Sequence, residues 1–356
     1  MPIPFFQAAH SQDQTPPRVA LAPMEGVLDA STRALITARG GWDFCVTEFV
    51  RVSHERLPPK VFYRLCPELK QASKTPIGVP VHLQLLGSSP ESLAMNALVA
   101  AKAGAQVIDL NFGCPAKIVN RHGGGARLLQ EPERVYAIAQ AVVQVLQPLK
   151  VPVTAKMRLG YEDMALATEN AWALETAGIE QLVVHARTKT QGYRPPAYWE
   201  KIAELAEVVR LPLLANGEIW TLEDYRRCVE LSGVKDVMLG RTALADPWLA
   251  LQIKAEATGQ PQLASRFHEV LDLIHQTYFT PPFELPEKIR LLRTKQWLRL
   301  LIPRWQEEAQ TLFDRVKRSS SEVELRTLLE AAILFHSSLE PTPGLDFDSN
   351  SGFTGK

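Results

Sequence analysis

The chain has 356 residues, of which 46% are hydrophobic and 22% are charged, a composition typical of a folded globular protein. The length exceeds that of one small domain and suits a large α/β domain with an additional region. The 39 basic and 39 acidic side chains cancel. This balance excludes strong attraction of the whole protein to nucleic acid or anionic membranes, but not a local basic face.

Cysteine usage and the N-terminus indicate the compartment. Cys45, Cys66, Cys114 and Cys228 are scattered without a C-x-x-C pair, so we expect no zinc site, no other metal and no disulfide framework. The first 18 residues lack a basic segment followed by a long apolar one, and no apolar run approaches 18 residues. The sequence therefore predicts a cytoplasmic protein with reduced thiols and no membrane span.

Eight short apolar runs alternate with helical patterns along most of the chain. The runs cover residues 18–23, 44–48, 79–86, 106–112, 151–157, 181–186, 211–217 and 236–240. Continuous apolar runs are typical of strands buried on both faces, and eight βα alternations predict a (β/α)8 TIM barrel of the α/β class. The alternative is an open doubly wound sheet, which usually has fewer strands and a Gly-rich first turn; no G-x-G-x-x-G follows any run.

The pattern changes after Ala255. Residues 257–264 resemble a linker, and residues 266–339 show helical patterns without strand candidates. We predict an N-terminal extension over residues 1–17, a catalytic barrel over 18–256, a small all-α domain over 262–340, and a disordered Gly/Pro-rich tail over 341–356.

Polar residues stand at the end of every predicted strand. They are Met24-Glu25, Thr47-Glu48, Gln84, Asn111 to Cys114, Lys156 to Arg158, His185 to Arg187, Asn216 to Glu218, and Gly240-Arg241. Barrel enzymes build their sites at the carboxyl ends of the strands, whereas a packed barrel interior prefers branched apolar side chains. The sequence therefore predicts an active site at this end.

Two of these ends are suited to phosphate. Asn216-Gly217-Glu218 and Gly240-Arg241 follow the last two predicted strands, where barrels commonly cradle phosphate with backbone N–H groups. Plain βα turns would also favour glycine.

Further candidates suit a flat cofactor. Lys156 is costly to bury without a partner, which could be a flavin edge that becomes anionic on reduction, or Asp109. Gln84 offers both a donor and an acceptor to such an edge. The thioether of Met24, beside Pro23, could pack on a flat ring or fill the core.

Two more strand ends carry reactive or charged side chains. His185 and Arg187 flank one residue of a strand, so they point the same way and suit an anionic group; a histidine satisfied by a carbonyl is the plainer alternative. Cys114 lies in a turn between Gly113 and Pro115, a position that favours an accessible thiol.

Several motifs together resemble the tRNA-dihydrouridine synthases, over almost the whole chain from Arg18 into the helical region. They are LAPMEGVLDASTR (21–33), VTEFVRVS (46–53), DLNFGCPAKIVNRHGGGARLL (109–129), KMRLG (156–160), VHARTKTQGY (184–193), NGEIW (216–220) and GRTALADPWL (240–249). TEFVRVS and RTKQWL (293–298) are most similar to the C-type branch, whose target is the D-loop uridine at position 16.

The resemblance implies FMN as cofactor, NADPH as reductant, and reduction of the uracil C5–C6 bond in tRNA. Cys114 matches the general acid and Asn111 precedes it in the same motif, while His185 and Arg187 match the H-x-R of the family, with Ala186 where many members have Gly. The flavin-binding positions of the family correspond to Pro23, Met24, Glu25, Gln84, Lys156, His185, Asn216, Gly217, Glu218, Gly240 and Arg241.

A basic segment follows the barrel. Residues 287–305 contain six basic side chains and one acid, and helical geometry places Lys288, Lys295 and Arg299 close together in projection. We expect tRNA phosphates to contact Arg51, Asn111, Lys117, Arg187, Lys288, Arg290, Arg293, Lys295 and Arg299; a solvated basic face is the alternative reading. We expect a monomer.

Two other functions remain open on the sequence. A small-molecule FMN reductase of the dihydroorotate or dihydropyrimidine dehydrogenase kind shares the barrel and the phosphate cradle, but does not need a basic helical domain. A noncatalytic RNA-binding barrel would not need eight polar strand ends.

Overall fold

The computed structural model of the chain describes residues 15–261, 263–281 and 285–339. The chain divides into two compact units, Met1–Leu263 and Ala264–Lys356. Residues 1–14 of the predicted extension, and the predicted tail over 341–356, lie outside the described residues.

The first unit is a closed parallel barrel. Its strands are β1 (Val19–Leu21), β2 (Phe44–Val46), β3 (Val50–Arg51), β4 (Val81–Leu86), β5 (Ile108–Phe112), β6 (Val153–Gly160), β7 (Gln181–Thr188), β8 (Leu213–Asn216) and β9 (Val237–Leu239). β1 pairs with both β2 and β9, and β2 also pairs with β4, so eight strands close a ring. The predicted TIM barrel and its eight strands are confirmed; the two-residue β3, which pairs with β4, was not predicted.

Buried apolar side chains fill the barrel. One cluster joins residues from β1, β2, β7, β8 and β9: Ala20, Ala22, Phe44, Val46, Val183, Leu214 and Met238. Each of these side chains is at most 6% exposed, so this part of the interior is a packed core. Buried polar side chains also lie within the strands, among them Gln84, Asp109 and Thr154.

Helices surround the barrel between the strands. They are α1 (Ala30–Thr37), α2 (Pro59–Leu65), α3 (Pro90–Lys102), α4 (Lys117–Arg121), α5 (Pro132–Leu146), α6 (Ala167–Thr176), α7 (Glu200–Val208), α8 (Leu222–Ser232), α9 (Arg241–Ala245) and α10 (Leu249–Ala257). Short polar side chains cap several of them. The Asp29 carboxylate accepts from the Thr32 N–H at the start of α1, and Thr221 forms a capping box with Asp224 at the start of α8.

The second unit is helical, as predicted. It contains α11 (Phe267–Phe279), α12 (Glu287–Val316) and α13 (Glu322–Ser338). α12 is kinked at Gln306, where φ is 43°, three residues after Pro303. Aromatic side chains pack between the helices: the ring centroids of Tyr278 and Trp297 lie 6.0 Å apart.

Among the helices of residues 15–261, 263–281 and 285–339, none combines the length and the apolar character that a membrane span requires.

Candidate active site

A chain of buried hydrogen bonds links β4, β5 and β6. Gln84 Nε2 donates to Asp109 Oδ2 at 2.7 Å, and Thr154 Oγ1 donates to Asp109 Oδ1 at 2.7 Å. Asn111 Nδ2 donates to Gln84 Oε1 at 2.8 Å. Burial raises the pKa of Asp109, while the hydrogen bonds from Thr154 and Gln84 lower it. The amide of Gln84 is thus held between two neighbours, which fixes its orientation at the rim.

Lys156 lies beside this chain without an ion pair. Its backbone is in register with Asn111 on the neighbouring strand, and among the described residues no carboxylate is within salt-bridge distance of its ammonium. Burial lowers the pKa of Lys156 to about 7 and the positive charge of Arg158 acts in the same direction, while the negative charge of Asp109 acts against both. An anion placed here would relieve a partly desolvated cation.

The turn that carries Cys114 is held by two asparagines. Asn111 Oδ1 accepts from the N–H groups of Gly113 and Cys114, both at 2.9 Å. Asn120 Nδ2, in α4, donates to the Cys114 carbonyl at 2.9 Å. These side-chain bonds replace the ladder after β5 ends, so they fix the thiol at the end of the strand.

Gly125 explains why glycine follows this turn. Its backbone is left-handed (φ 61°), and a Cβ there would lie 2.8 Å from the Cys114 carbonyl oxygen and 2.9 Å from Val119 Cγ1. Gly124 has neither constraint, because a Cβ there would meet its neighbours at 3.6 Å or more. The backbone of Gly125 therefore lies close to the Cys114 carbonyl and supports the Cys114 turn itself.

Cys114 differs from the other cysteines in accessibility. It is half-buried, whereas Cys45, Cys66 and Cys228 are buried. Burial raises the pKa of the Cys114 thiol, and the Glu25 carboxylate adds to this, against the positive charges of Arg51 and Arg158. The group is therefore a neutral thiol at neutral pH that reaches the rim, surrounded by charged side chains.

The ends of β7 and β8 form a second cluster. Arg187 is fully buried, donates to the Pro196 carbonyl at 3.1 Å, and forms an ion pair with Glu218. His185 lies next to it, with Nε2 3.5 Å from an Arg187 nitrogen. Burial and the surrounding cations lower the pKa of His185 well below its usual value, so the ring is neutral. A Cβ on Gly217 would come within 2.9 Å of the His185 ring, so only glycine fits at this position.

Arg241 stands at the start of α9, immediately after β9. Its guanidinium carbon lies 4.8 Å from the Tyr193 ring centroid and 5.0 Å from that of Trp220, and a terminal nitrogen is 3.9 Å from Glu218 Oε2. Burial lowers the pKa of Arg241. Asn216 Nδ2 donates to the Met238 carbonyl at 2.7 Å, which ties the ends of β8 and β9 together.

The remaining predicted residues of this unit are half-buried or exposed. Pro23 and Met24 are half-buried, and Glu25 is exposed. Arg51 ends β3 and lies over the Phe49 ring at 5.7 Å, and Lys117 begins α4 with an exposed side chain. Arg51 and Glu25 both act electrostatically on Cys114. Glu25 and Arg51 thus lie near enough to the thiol for their charges to act on it.

Two residues of the site were given no role from the sequence. Arg158 donates from Nε to the Gly113 carbonyl at 3.0 Å, and to the carbonyls of Thr188 and Gly192, so it joins the Cys114 turn to the loop after β7. Tyr193 lies over both Arg158 and Arg241 and packs against His185. Arg158 could have been inferred from its position two residues after Lys156 on the same strand face. Tyr193 does not directly follow a strand, so the sequence carried no signal of its place in the site.

The basic residues predicted on α12 fall into two groups. Lys288 and Arg299 are exposed. Arg290 is buried and forms an ion pair with Glu322 of α13 at 2.5 Å, Arg293 is half-buried, and Lys295 donates to the Ser319 and Lys317 carbonyls. Leu298 and Leu301 of the same helix are buried, and Leu291 is half-buried.

The rim suits a flavin phosphate ester. Lys156 and Arg241 are desolvated cations, and Arg241 shares Glu218 with Arg187. A phosphate and a ring edge that carry negative charge would stabilise these two desolvated cations further, beyond the effect of Asp109 on Lys156 and of Glu218 on Arg241. The residues present therefore fit the group.

Known proteins resemble this chain across most of its length. A family profile described as dihydrouridine synthase (Dus) matches residues 20–331. A protein of Pseudomonas putida named tRNA-dihydrouridine(16) synthase is 47% identical over 319 residues, covering 89% of this chain and 98% of that protein. A protein of Aquipseudomonas alcaligenes with the same name is 48% identical, covering 85% and 95%. A third, of Ralstonia nicotianae, is 45% identical, covering 89% and 96%. Taken with the closed barrel and its polar rim, these matches show that the chain belongs to the dihydrouridine synthase family.

Proposed function

We propose that this protein reduces the C5–C6 bond of the uridine at position 16 in the D-loop of tRNA, giving dihydrouridine, with FMN as cofactor and NADPH as reductant. The half-buried thiol of Cys114, held at the rim beside the ammonium of Lys156 and the cluster around Arg241, is the observation that carries the proposal. The relatives named for position 16 supply the substrate and its position.

The flavin site is assigned to residues at the ends of the strands. Those proposed to hold FMN are Pro23, Met24, Glu25, Gln84, Lys156, His185, Asn216, Gly217, Glu218, Gly240 and Arg241. Lys156 would stabilise a ring edge that gains negative charge, and Arg241 with the backbone after β8 and β9 would hold the phosphate. When bound, the flavin supplies the hydride that adds to C6 of the uracil.

Cys114 then provides the proton at C5. The raised pKa of its thiol keeps it protonated at neutral pH, so it can act as a general acid where a carboxylic acid would already be ionised. Asn111 and Asn120 hold the backbone of the turn on both sides of the thiol. This fixes the direction from which the proton arrives.

The tRNA is proposed to contact exposed cations. Arg51, Lys117, Lys288 and Arg299 are exposed and suit backbone phosphates. Arg293 and Lys295 are half-buried and are assigned a secondary part, while Arg187 and Arg290 are held in ion pairs and orient their neighbours. The target base must leave its stack to reach Cys114, because the hydride acceptor is inaccessible in folded tRNA. Asn111 is assigned to the uracil side of the site.

The test uses purified protein and unmodified tRNA transcripts. Denaturation should release a yellow compound that mass spectrometry identifies as FMN, and NADPH should drive formation of dihydrouridine that maps to position 16. Free uridine and orotate should remain unreduced. Reduction of either free compound with no product in tRNA would assign the protein to small-molecule reduction and overturn the proposal.

A further inference from the structure

A basic cavity lies outside the residues assigned above to flavin. Its volume is about 620 Å³, and its lining is Lys117, Asn120, Arg121, Gly123, Arg127, Tyr161 and Lys189. Four of these side chains are cationic and none is a carboxylate. Among the described residues, no acid forms an ion pair with any of the four cations. Like charges gathered without counter-charges repel one another, so the cavity suits an anion.

The lining residues come from three neighbouring loops of the rim, and the cations come from two of them. Arg121 ends α4 and Arg127 lies in a 3-10 segment, Gly125–Gln130, both in the connection after β5. Tyr161 directly follows β6, and Lys189 directly follows β7. The Lys189 N–H donates to the Gly160 carbonyl at 3.0 Å. Backbone pairing thus continues past both strands and fixes Tyr161 and Lys189 next to each other.

Tyr161 organises the cavity. Lys189 Nζ lies 4.5 Å from the ring centroid and the guanidinium carbon of Arg127 lies 5.5 Å from it. Lys189 also donates to the Tyr161 hydroxyl oxygen at 3.2 Å. The hydroxyl therefore accepts from the ammonium and keeps its own proton for an acceptor. One phenol with two cations offers several donors and a positive field, the combination that phosphate oxygens require.

We propose that this cavity binds backbone phosphates of the RNA substrate next to the flipped uridine. The proposal rests on the proposed function and extends it to residues given no role above: Arg121, Arg127, Tyr161 and Lys189. Because two cations already occupy the Tyr161 ring, the ring is not offered to a base or a nicotinamide, so the cavity recognises charge. Arg121 and Arg127 are exposed, as contact with a macromolecule requires. Asn120 joins the cavity to the Cys114 carbonyl, so occupancy would be sensed at the thiol turn.

The test removes charge from the cavity and leaves the flavin residues intact. The variant combines Arg121→Gln, Arg127→Gln and Lys189→Gln. Its control combines Lys70→Gln, Lys102→Gln and Arg210→Gln, exposed residues that precede strands and lie at the other end of the barrel. Both variants lose three positive charges, and Lys70 also lies over a tyrosine ring, that of Tyr63 at 5.2 Å. Net charge therefore cannot explain a difference between them.

We expect the cavity variant to lose roughly 10- to 100-fold in tRNA affinity, and its log–log salt slope to fall by about two units. Ethylation of individual tRNA phosphates should weaken binding to the unmodified protein at a few positions. At those positions ethylation should have no effect on binding to the cavity variant. The charge-preserving variant Arg121→Lys, Arg127→Lys, Lys189→Arg should recover most of the slope. FMN content and flavin reduction by NADPH should stay unchanged in every variant.

Two results would overturn the proposal. Equal losses of tRNA affinity in the cavity and control variants would show that only the net charge of the protein matters. Slower flavin reduction by NADPH in the cavity variant, with reduction by NADH and tRNA binding unchanged, would show that the cavity binds the phosphate of the dinucleotide. Failure of the proposed function is seen separately, because it would appear as absent dihydrouridine with the unmodified protein.

Discussion

The buried charged side chains at the barrel rim and the exposed ones on α12 occupy opposite environments. Burial and neighbouring charge shift the pKa values of Lys156 and His185 at the rim, whereas Lys288 and Arg299 on α12 are exposed. Charges interact strongly over short distances in a partly desolvated site. Between exposed charges, salt at about 0.1 M largely screens the interaction once the separation exceeds about 10 Å. The buried charges of the rim should therefore govern chemistry with little salt dependence, whereas the exposed cations, both on α12 and around the rim cavity, should govern tRNA affinity with much.

The largest expected effect tests the chemical side of this contrast. Cys114→Ala should slow the reoxidation of reduced flavin by tRNA about 10²–10⁴-fold, because the proton donor to C5 is lost. Flavin reduction by NADPH should be unaffected. Rapid-mixing absorbance measures both half-reactions, and the deficit in the variant should persist across salt concentrations.

Cys228→Ala is the matched control for the thiol. Cys228 is buried in α8, away from the rim, so its loss should lower stability slightly and leave both half-reactions intact. Near-normal reoxidation in Cys114→Ala would show that another group supplies the proton.

A smaller effect is expected from the turn behind the thiol. Gly125→Ala forces a Cβ to within 2.8 Å of the Cys114 carbonyl oxygen at a left-handed residue. We expect a stability loss of about 1–3 kcal/mol, and roughly 10- to 100-fold slower tRNA-dependent turnover as the thiol shifts. Thermal melting and steady-state kinetics measure the two effects.

Gly124→Ala gives the comparison, because a Cβ at that position meets no atom closer than 3.6 Å. Its stability and turnover should stay near those of the unmodified protein. If the two alanine variants behaved alike, the close approach of Gly125 to Cys114 would have no functional weight.

The helical side of the contrast predicts a salt-dependent loss. Lys288→Ala combined with Arg299→Ala should weaken tRNA binding about tenfold at low salt and lower the log–log salt slope by one to two units. Turnover at saturating tRNA should change little. Filter binding at several salt concentrations measures this. An unchanged slope would show that the two residues contribute to solubility and not to tRNA binding.

Arg290→Ala separates binding from structure on the same helix. Removing Arg290 leaves Glu322 of α13 without its ion-pair partner at 2.5 Å. The variant should therefore be less stable than the unmodified protein by about 1–3 kcal/mol. The salt slope of tRNA binding should stay nearly constant. A large change in slope with normal stability would return Arg290 to the phosphate-binding group.

The smallest effect concerns flavin affinity and pH. In the flavin-free protein the pKa of Lys156 is lowered to about 7, and a bound anion should raise it. Protons are then taken up on binding above pH 7, so FMN affinity should fall as pH rises, by at most about tenfold per pH unit. Fluorescence titration between pH 7 and 9 measures this, with Lys156→Met as the pH-independent control. Equal pH dependence in both proteins would remove Lys156 from the flavin edge.

The sequence predicted the barrel and the location of the site for a simple reason. Parallel strands carry continuous apolar runs, and their carboxyl ends meet at one rim, so residues such as Gln84 and Asn216 could be placed together without knowing side-chain contacts. Partners set by distant segments could not be found in this way. The helical projection grouped Lys288, Lys295 and Arg299, yet Lys295 is engaged by the carbonyls that follow α12.

The most direct measurement follows reduced, FMN-loaded protein mixed anaerobically with two tRNA transcripts that differ only at position 16. The transcript with uridine should reoxidise the flavin in a single turnover and yield one dihydrouridine per flavin, whereas the transcript with cytidine should leave the flavin reduced. Equal reoxidation by both transcripts, or reoxidation without dihydrouridine, would contradict the assignment of the rim and Cys114 to uridine reduction.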